Sequence, residues 1–211
     1  MRFHPTLLRA AGVFLLVVWP AIEAPSADLT ASGIFLVAAR ELRDPNFRET
    51  VVLVTQPGSG EPFGVIINRP LRPRLSEIFP EYEMLKGRQD VVYFGGPVTQ
   101  EGLVFLVRSN EPPPRAAQVL NDVYFSNDPD WIDGMLKRVN PTEGMRVYAG
   151  HAGWAPGQLQ NEIAQGGWHV VPADANTIFH KEASTIWPDL IKRATLRHTR
   201  AEIPVPAFGV R

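Results

Sequence analysis

A single α+β domain, rich in strands and with a few short helices, is predicted by three features of the sequence. Short β-branched apolar runs recur along the chain and are broken by Gly, Pro, Asn and Asp. Twenty prolines in 211 residues, almost twice the average usage of about 5%, disfavour a helical bundle and favour strands joined by turns. With 45% apolar and 20% charged residues, the chain can bury a real core in one domain, and its length leaves room for appendages.

Taken in order, residues 33–38 and 50–55 are apolar, β-branched strands. They flank Asp44-Pro45-Asn46-Phe47, where Asp caps one helical turn begun by Pro. Turn chemistry fills residues 56–62, and 63–68 resumes an extended run, so these two strands form a hairpin. Pro70, Pro73 and Pro80 keep the next segment irregular, apart from a short helix near 75–79. Residues 91–94 and 103–107 are strands separated by Gly95-Gly-Pro-Val98 and a turn, and Pro112, Pro113 and Pro114 force a polyproline excursion before Val119. Asp128-Pro129 reads as N-cap and first helical residue of a helix over 130–139, whose buried face is Trp131, Ile132, Met135, Leu136 and Val139. A strand over 145–149 leads to a glycine-rich loop over 150–157. A helix over 157–165 follows, ended by Gly166, and then a strand over 168–171. Asp174 and Ser184 cap two last short helices.

The ends read differently from the domain, which spans residues 28–195. Arg2 and Arg9 precede a 13-residue apolar run that Glu23 stops, and Ala24 and Ser26 supply small residues for cleavage. Residues 1–26 therefore have the layout of a secretory signal peptide, and the run is short of the ~20 residues a membrane span needs. The expected location is outside the cytoplasm, periplasmic in a two-membrane cell; the alternative is a cytoplasmic protein with an unremoved extension. Residues 196–211 form a basic tail. A net charge of −1 removes the global attraction that most nucleic-acid binders use, and no aromatic platform for stacking bases is interleaved with the terminal arginines. With no cysteine, disulfides, thiolate metal sites and cysteine nucleophiles are excluded.

Most catalytic templates fail. Ser59 sits in Gly-Ser-Gly between two strands, which is the wrong context for a nucleophile elbow. His151, His169, His180 and His198 are spaced too widely for a local zinc motif, and no phosphate-loop sequence occurs. No catalytic residue, metal or cofactor is assigned. The most unusual segment is 150–157, where glycines precede a helix; free backbone N–H groups there can hold an anion, or the glycines can let the chain pass beneath Trp154. Asn68 and Arg69 end a strand; Arg69 is either a fixed cation for an anionic ligand or an ordinary surface pair, and Asn68 supports a turn. Gly95 and Gly96 supply torsions that residues with a Cβ resist.

Four blocks, Asp44-Pro-Asn-Phe-Arg-Glu-Thr-Val-Val-Leu-Val54, Gly64-Val-Ile-Ile-Asn-Arg-Pro70, Val92-Tyr-Phe-Gly-Gly-Pro-Val98 and Ala152-Gly-Trp-Ala-Pro-Gly-Gln-Leu-Gln-Asn-Glu-Ile163, resemble the signature of the YqgE/AlgH family of bacterial proteins in the right order. The resemblance runs from about residue 33 to 190. It implies a bifurcated, mostly antiparallel sheet curled into a pseudo-barrel with flanking short helices. It implies little chemistry: members are mostly of unassigned function, and the AlgH name reflects a proposed role in regulating transcription of alginate genes. This chain carries Gln56, Val107, His151 and Gln160 where the family usually has His, His, Tyr and Glu. Those changes remove titratable groups that a shared acid–base mechanism would need.

The favoured function is a non-enzymatic domain that binds a small ligand or a protein partner, with nucleic acid disfavoured. Its surface is expected at Asn68, Arg69, Gly95, Gly96, His151, Gly153, Trp154, Gly157 and Gln158, gathered at one rim of the curled sheet. The runners-up are a hydrolase-like enzyme using His151 with Asp174 or Glu162, and a transcriptional regulator by resemblance alone.

Overall fold

The computed structural model describes residues 33–55 and 61–201. The signal peptide read over residues 1–26, Gln56 and the end of the basic tail lie outside the described residues. The strands are β1 (Ile34–Ala38), β2 (Val51–Thr55), β3 (Phe63–Ile66), β4 (Pro70–Arg74), β5 (Val91–Phe94), β6 (Val98–Arg108), β7 (Ala117–Leu120), β8 (Val123–Ser126), β9 (Met145–Gly153) and β10 (Trp168–Pro172). The helices are α1 (Leu75–Ile78), α2 (Pro129–Leu136), α3 (Gln158–Ala164), α4 (Ala175–Phe179) and α5 (Ala183–Ala201), with one 3-10 turn at Glu83–Leu85.

The main sheet runs β10-β1-β2-β3-β9-β6-β8-β7, antiparallel throughout. It forks at β9. One edge of β9 pairs with β6, while the other is shared: Ala152 and Gly153 pair with β3, and Tyr148 and Ala149 pair in parallel with β5, which carries β4. The sheet curls into a half-barrel in which β7 returns to the start of β1. There the Gly33 N–H donates to the Val119 carbonyl at 2.7 Å and the Thr55 hydroxyl to the Gln118 carbonyl at 3.2 Å.

Both faces of this sheet are covered, which explains why its strands read as continuous apolar runs rather than alternating ones. Phe35, Val37, Leu53, Val65, Leu106, Val123 and Tyr148 point into the curl, where Ile186, Leu190 and Ile191 of α5 pack against them. On the outer face, Leu36, Val52, Ile66 and Ala152 meet Trp154, Leu159 and Trp168, while Phe105, Val107, Met145 and Val147 meet α1 and α2.

Four expectations about elements are corrected. The segment after Pro70 is not irregular: β4 forms because it is an exposed edge strand, where a proline's missing donor costs nothing. After the segment of Pro112, Pro113 and Pro114, which belongs to no strand or helix, β7 and β8 add a hairpin across Asn121-Asp122 that the expected elements lack. Residues 150–153 are not loop; Gly150, at φ 71°, lets β9 change register against β6 and continue to Gly153. Finally, α5 is a 19-residue helix that runs into the segment read as tail, since nothing between Pro188 and Ala201 breaks it. No helix among the described residues is long and apolar enough to cross a membrane.

The cap of α2 is as the sequence indicates. Asp128 is 7% exposed; one carboxylate oxygen accepts the Trp131 N–H at 3.0 Å, and the other accepts from Nε (3.0 Å) and Nη2 of Arg115. The Arg115 bonds first, then the Trp131 N–H, hold this carboxyl below its ordinary pKa. A depressed carboxyl stabilises the fold above its unfolded pKa, about 3.9, and loses that contribution as pH falls through the lower folded value. Urea midpoints of wild type and Asp128→Asn are therefore expected to differ by a constant amount above about pH 4 and to converge below it. A gap that persists unchanged to pH 2 would refute this assignment.

Candidate functional site

The segment joining β1 to β2 is a compact turn. Phe47 and Arg48 N–H groups donate to the Asp44 carbonyl, and one Asp44 carboxylate oxygen accepts the Asn46 N–H at 2.8 Å. Glu49 sits at φ 56°, where only an over-determined backbone holds a residue with a Cβ. The determinants come from the end of β3. Asn68 accepts the Val51 N–H (2.8 Å) and donates to the Glu49 carbonyl (3.0 Å). Arg69 donates to the carbonyls of Pro45 (3.2 Å), Asn46 (2.6 Å) and Arg48 (2.9 Å). Burial, and then Arg48, draw its pKa down from the ordinary arginine value, but a guanidinium stays charged. Asn68 and Arg69 thus brace a turn; their polar groups face backbone rather than an open site.

Gly95 and Gly96 lie where β5 leaves β9 at the fork. The Gly95 N–H donates to the Ala149 carbonyl and its own carbonyl accepts the Ile66 N–H, both at 2.8 Å. A Cβ on Gly95 would collide with the Gly150 carbonyl oxygen, and one on Gly96 with the His151 carbonyl. Bare backbone is required for the strands to approach this closely.

Opposite the braced turn stands α3. Glu162 receives three hydrogen bonds there: from the indole N–H groups of Trp154 (3.0 Å) and Trp168 (2.9 Å) on one oxygen, and from the Gln158 amide (2.9 Å) on the other. Gln158 in turn accepts the Ala155 N–H at 3.0 Å. Trp168 also meets Phe47 edge to face, with centroids 5.6 Å apart. Between the turn and α3 runs a cleft of about 330 Å³, walled by Leu42, Asp44, Phe47 and Pro97 on one side and by Gly153, Trp154, Gln158, Glu162, Gln165, Gly167 and Trp168 on the other.

Of the expected surface residues, Gly153, Trp154 and Gln158 line this cleft, and Gly157, the N-cap of α3, adjoins it. Asn68 and Arg69 position its far wall, and Gly95 and Gly96 are the two residues before Pro97. His151 is separated from it. Its ring stacks on Phe63 at 4.8 Å, and Phe63 meets Phe125 edge to face on the inner side of the curl, whereas Ala152 belongs to the outer cluster. Burial lowers the His151 pKa. The partners named for it are engaged elsewhere: Glu162 with the indoles, and Asp174 with the N–H (2.7 Å) and hydroxyl (2.9 Å) of Thr177. Gln160 is exposed and Val107 is buried in the core. No group of three His, Asp or Glu side chains able to hold a metal gathers among the described residues.

Sequence reasoning missed Asp44, Phe47, Glu162 and Trp168 as a set. Gln158 and Glu162 stand four apart on one helix, a spacing that places both on the same face. The arrival of Trp168 depends on β10 pairing with β1, which no local spacing reveals.

Comparison with known proteins places these features in a lineage. The sequence profile of the AlgH-like family matches residues 35–199. A UPF0301 protein of Corynebacterium efficiens is 33% identical over 187 residues, covering 85% of this chain and 87% of its own. Another, from Thermobifida fusca, is 34% identical over 182 residues, covering 82% and 91%. Among solved structures, protein DIP2367 of Corynebacterium diphtheriae superposes with a TM-score of 0.63 at 29% identity, covering 77% of this chain and 86% of that one. The solution structure of the AlgH protein from Pseudomonas aeruginosa gives 0.60 at 24% identity over 89% and 97%, a likeness of fold.

Proposed function

The chain belongs to the AlgH-like family, whose biochemical activity is unassigned, and from that premise and the cleft geometry we propose that it is a non-enzymatic binding domain taking a small ligand between the 44–49 turn and α3. The observation that carries this reading is the state of Glu162. A general base needs an oxygen free to take a proton within reach of substrate, and three N–H donors already occupy this carboxylate. Asp44 keeps one oxygen without a hydrogen bond among the described residues, but the described lining holds no His, Ser, Cys or Lys for it to pair with as base or nucleophile. What remains is a concave, aromatic-walled cleft with a few fixed polar groups, at the lower end of the size range of small-molecule sites.

Gly153 provides the test, because a Cβ there meets nothing within 4 Å and its position lines the cleft. Screening a fragment collection by NMR is expected to give compounds that shift the Trp154 and Trp168 indole N–H signals. Gly153→Leu, which fills the cleft from a tolerant position, should remove those shifts while leaving the remaining spectrum intact. Fragments that bind the variant equally well, or that move only signals elsewhere, would defeat the proposal.

A further inference from the structure

The ligand class follows from the charges and rings that face the cleft, and it rests on the binding reading above. Two carboxylates, Asp44 and Glu162, line it, and none of its described lining residues is basic. Neither carboxylate has an ion-pair partner among the described residues. The three donors on Glu162 are neutral N–H groups, so they orient its negative charge without cancelling it. Arg69 interacts electrostatically with Asp44 and so offsets part of its charge, but its N–H groups are donated to three turn carbonyls and it forms no ion pair with the carboxylate. Around these charges stand Phe47, Trp154 and Trp168. A cleft that combines aromatic rings with two carboxylates lacking ion-pair partners, and has no basic residue in its described lining, favours cations over anions.

We infer that the cleft takes a small organic cation, an aliphatic ammonium or guanidinium group lying against the wall that Phe47, Trp154 and Trp168 form, with Asp44 and Glu162 as counter-charges. Asp44 uses one carboxylate oxygen on the Asn46 N–H, and its second oxygen has no hydrogen bond among the described residues. That oxygen is the acceptor for an N–H of the ligand. A free molecule fits the modest volume of the cleft; the same group on a lysine side chain is the competing source.

The test uses four probes titrated at millimolar concentration into the ¹⁵N-labelled full chain: n-butylammonium, its neutral and anionic counterparts 1-butanol and butyrate, and a blocked Gly-Lys-Gly tripeptide. The expected result is that n-butylammonium shifts the Trp154 and Trp168 indole N–H signals at least about tenfold more tightly than 1-butanol, and that butyrate leaves them still. Asp44→Asn keeps the acceptor that the turn needs, so it folds. It should weaken n-butylammonium about fivefold and leave 1-butanol unchanged. Glu162→Gln, which keeps an oxygen for the indoles, provides a second charge-removing variant with the same expected selectivity. Equal binding of 1-butanol and n-butylammonium overturns the cation inference and leaves the cleft as a site. Silence from every probe overturns it too, and the fragment screen then decides whether the cleft binds anything. Tripeptide binding tenfold tighter than n-butylammonium rejects the free-molecule source.

Discussion

Replacing Gly95 with alanine is expected to remove about 4 kcal/mol or more of folding free energy, a large part of the 5–15 kcal/mol that holds a typical domain together. The cause is backbone against backbone. The new Cβ would fall on the Gly150 carbonyl oxygen, with the Tyr148 Cβ 3.0 Å away, so no side-chain rotation can relieve it. Relief would require β5 to withdraw from β9, breaking the bonds from Gly95 to Ala149 and from Ile66 to Gly95 that hold the fork together. Gly153→Ala, at the end of β9, is the matched control, expected to lie within about 0.5 kcal/mol of wild type because its Cβ meets open space. Urea unfolding of both variants tests the claim. If Gly95→Ala stays within about 1 kcal/mol of the parent, close packing at the fork does not set the need for glycine.

Glu162→Leu should cost about 3 kcal/mol, the second largest effect. It leaves two indole N–H donors, on Trp154 and Trp168 at 4% and 5% exposure, without their acceptor, and an orphaned buried donor costs about 1–3 kcal/mol. Glu162→Gln retains one oxygen for the indoles and gives up the charge and the bond from the Gln158 amide, so it should cost about 1 kcal/mol. Tryptophan emission, recorded alongside denaturation, is expected to change in the Leu variant before unfolding begins. An unchanged midpoint and spectrum would mean that the indoles find other acceptors and that Glu162 organises nothing.

The strands of the sheet interior were legible because burial on both faces writes itself as uninterrupted Val, Ile, Leu and Phe, as in β1, β2 and β6. Edge elements were not. Pro70 and Pro73 look like breakers, and only the knowledge that β4 has a free side makes them compatible with a strand. The β7–β8 hairpin did have a local signal in Asn121-Asp122 between apolar runs, overshadowed by the three prolines before it. For α5, the apolar stripe was visible but its length was not, since an end without a breaker is set by packing alone. The cleft was half readable. Gly153, Trp154 and Gln158 stood out in an odd segment, whereas Glu162 looked like an ordinary solvent-facing helix residue until the pairing of β1 with β10 brought Trp168 over it. The turn-supporting role of Asn68 was legible, whereas that of Arg69, which donates to three carbonyls of the 44–49 turn, was not.

The order in which the strands are joined also sets a schedule for synthesis. β1, β2 and β3 leave the ribosome as neighbours, but the outer edge of β1 waits for β10 and that of β3 for Ala152 and Gly153. At usual elongation rates the β3 edge stays bare for roughly 4 to 18 seconds, and the β1 edge for longer. During that interval the nascent chain exposes an apolar three-stranded meander open on both sides, the kind of surface that pairs with other chains. Both edges of that meander are covered only once β9, the strand that joins the two branches, and β10 have emerged.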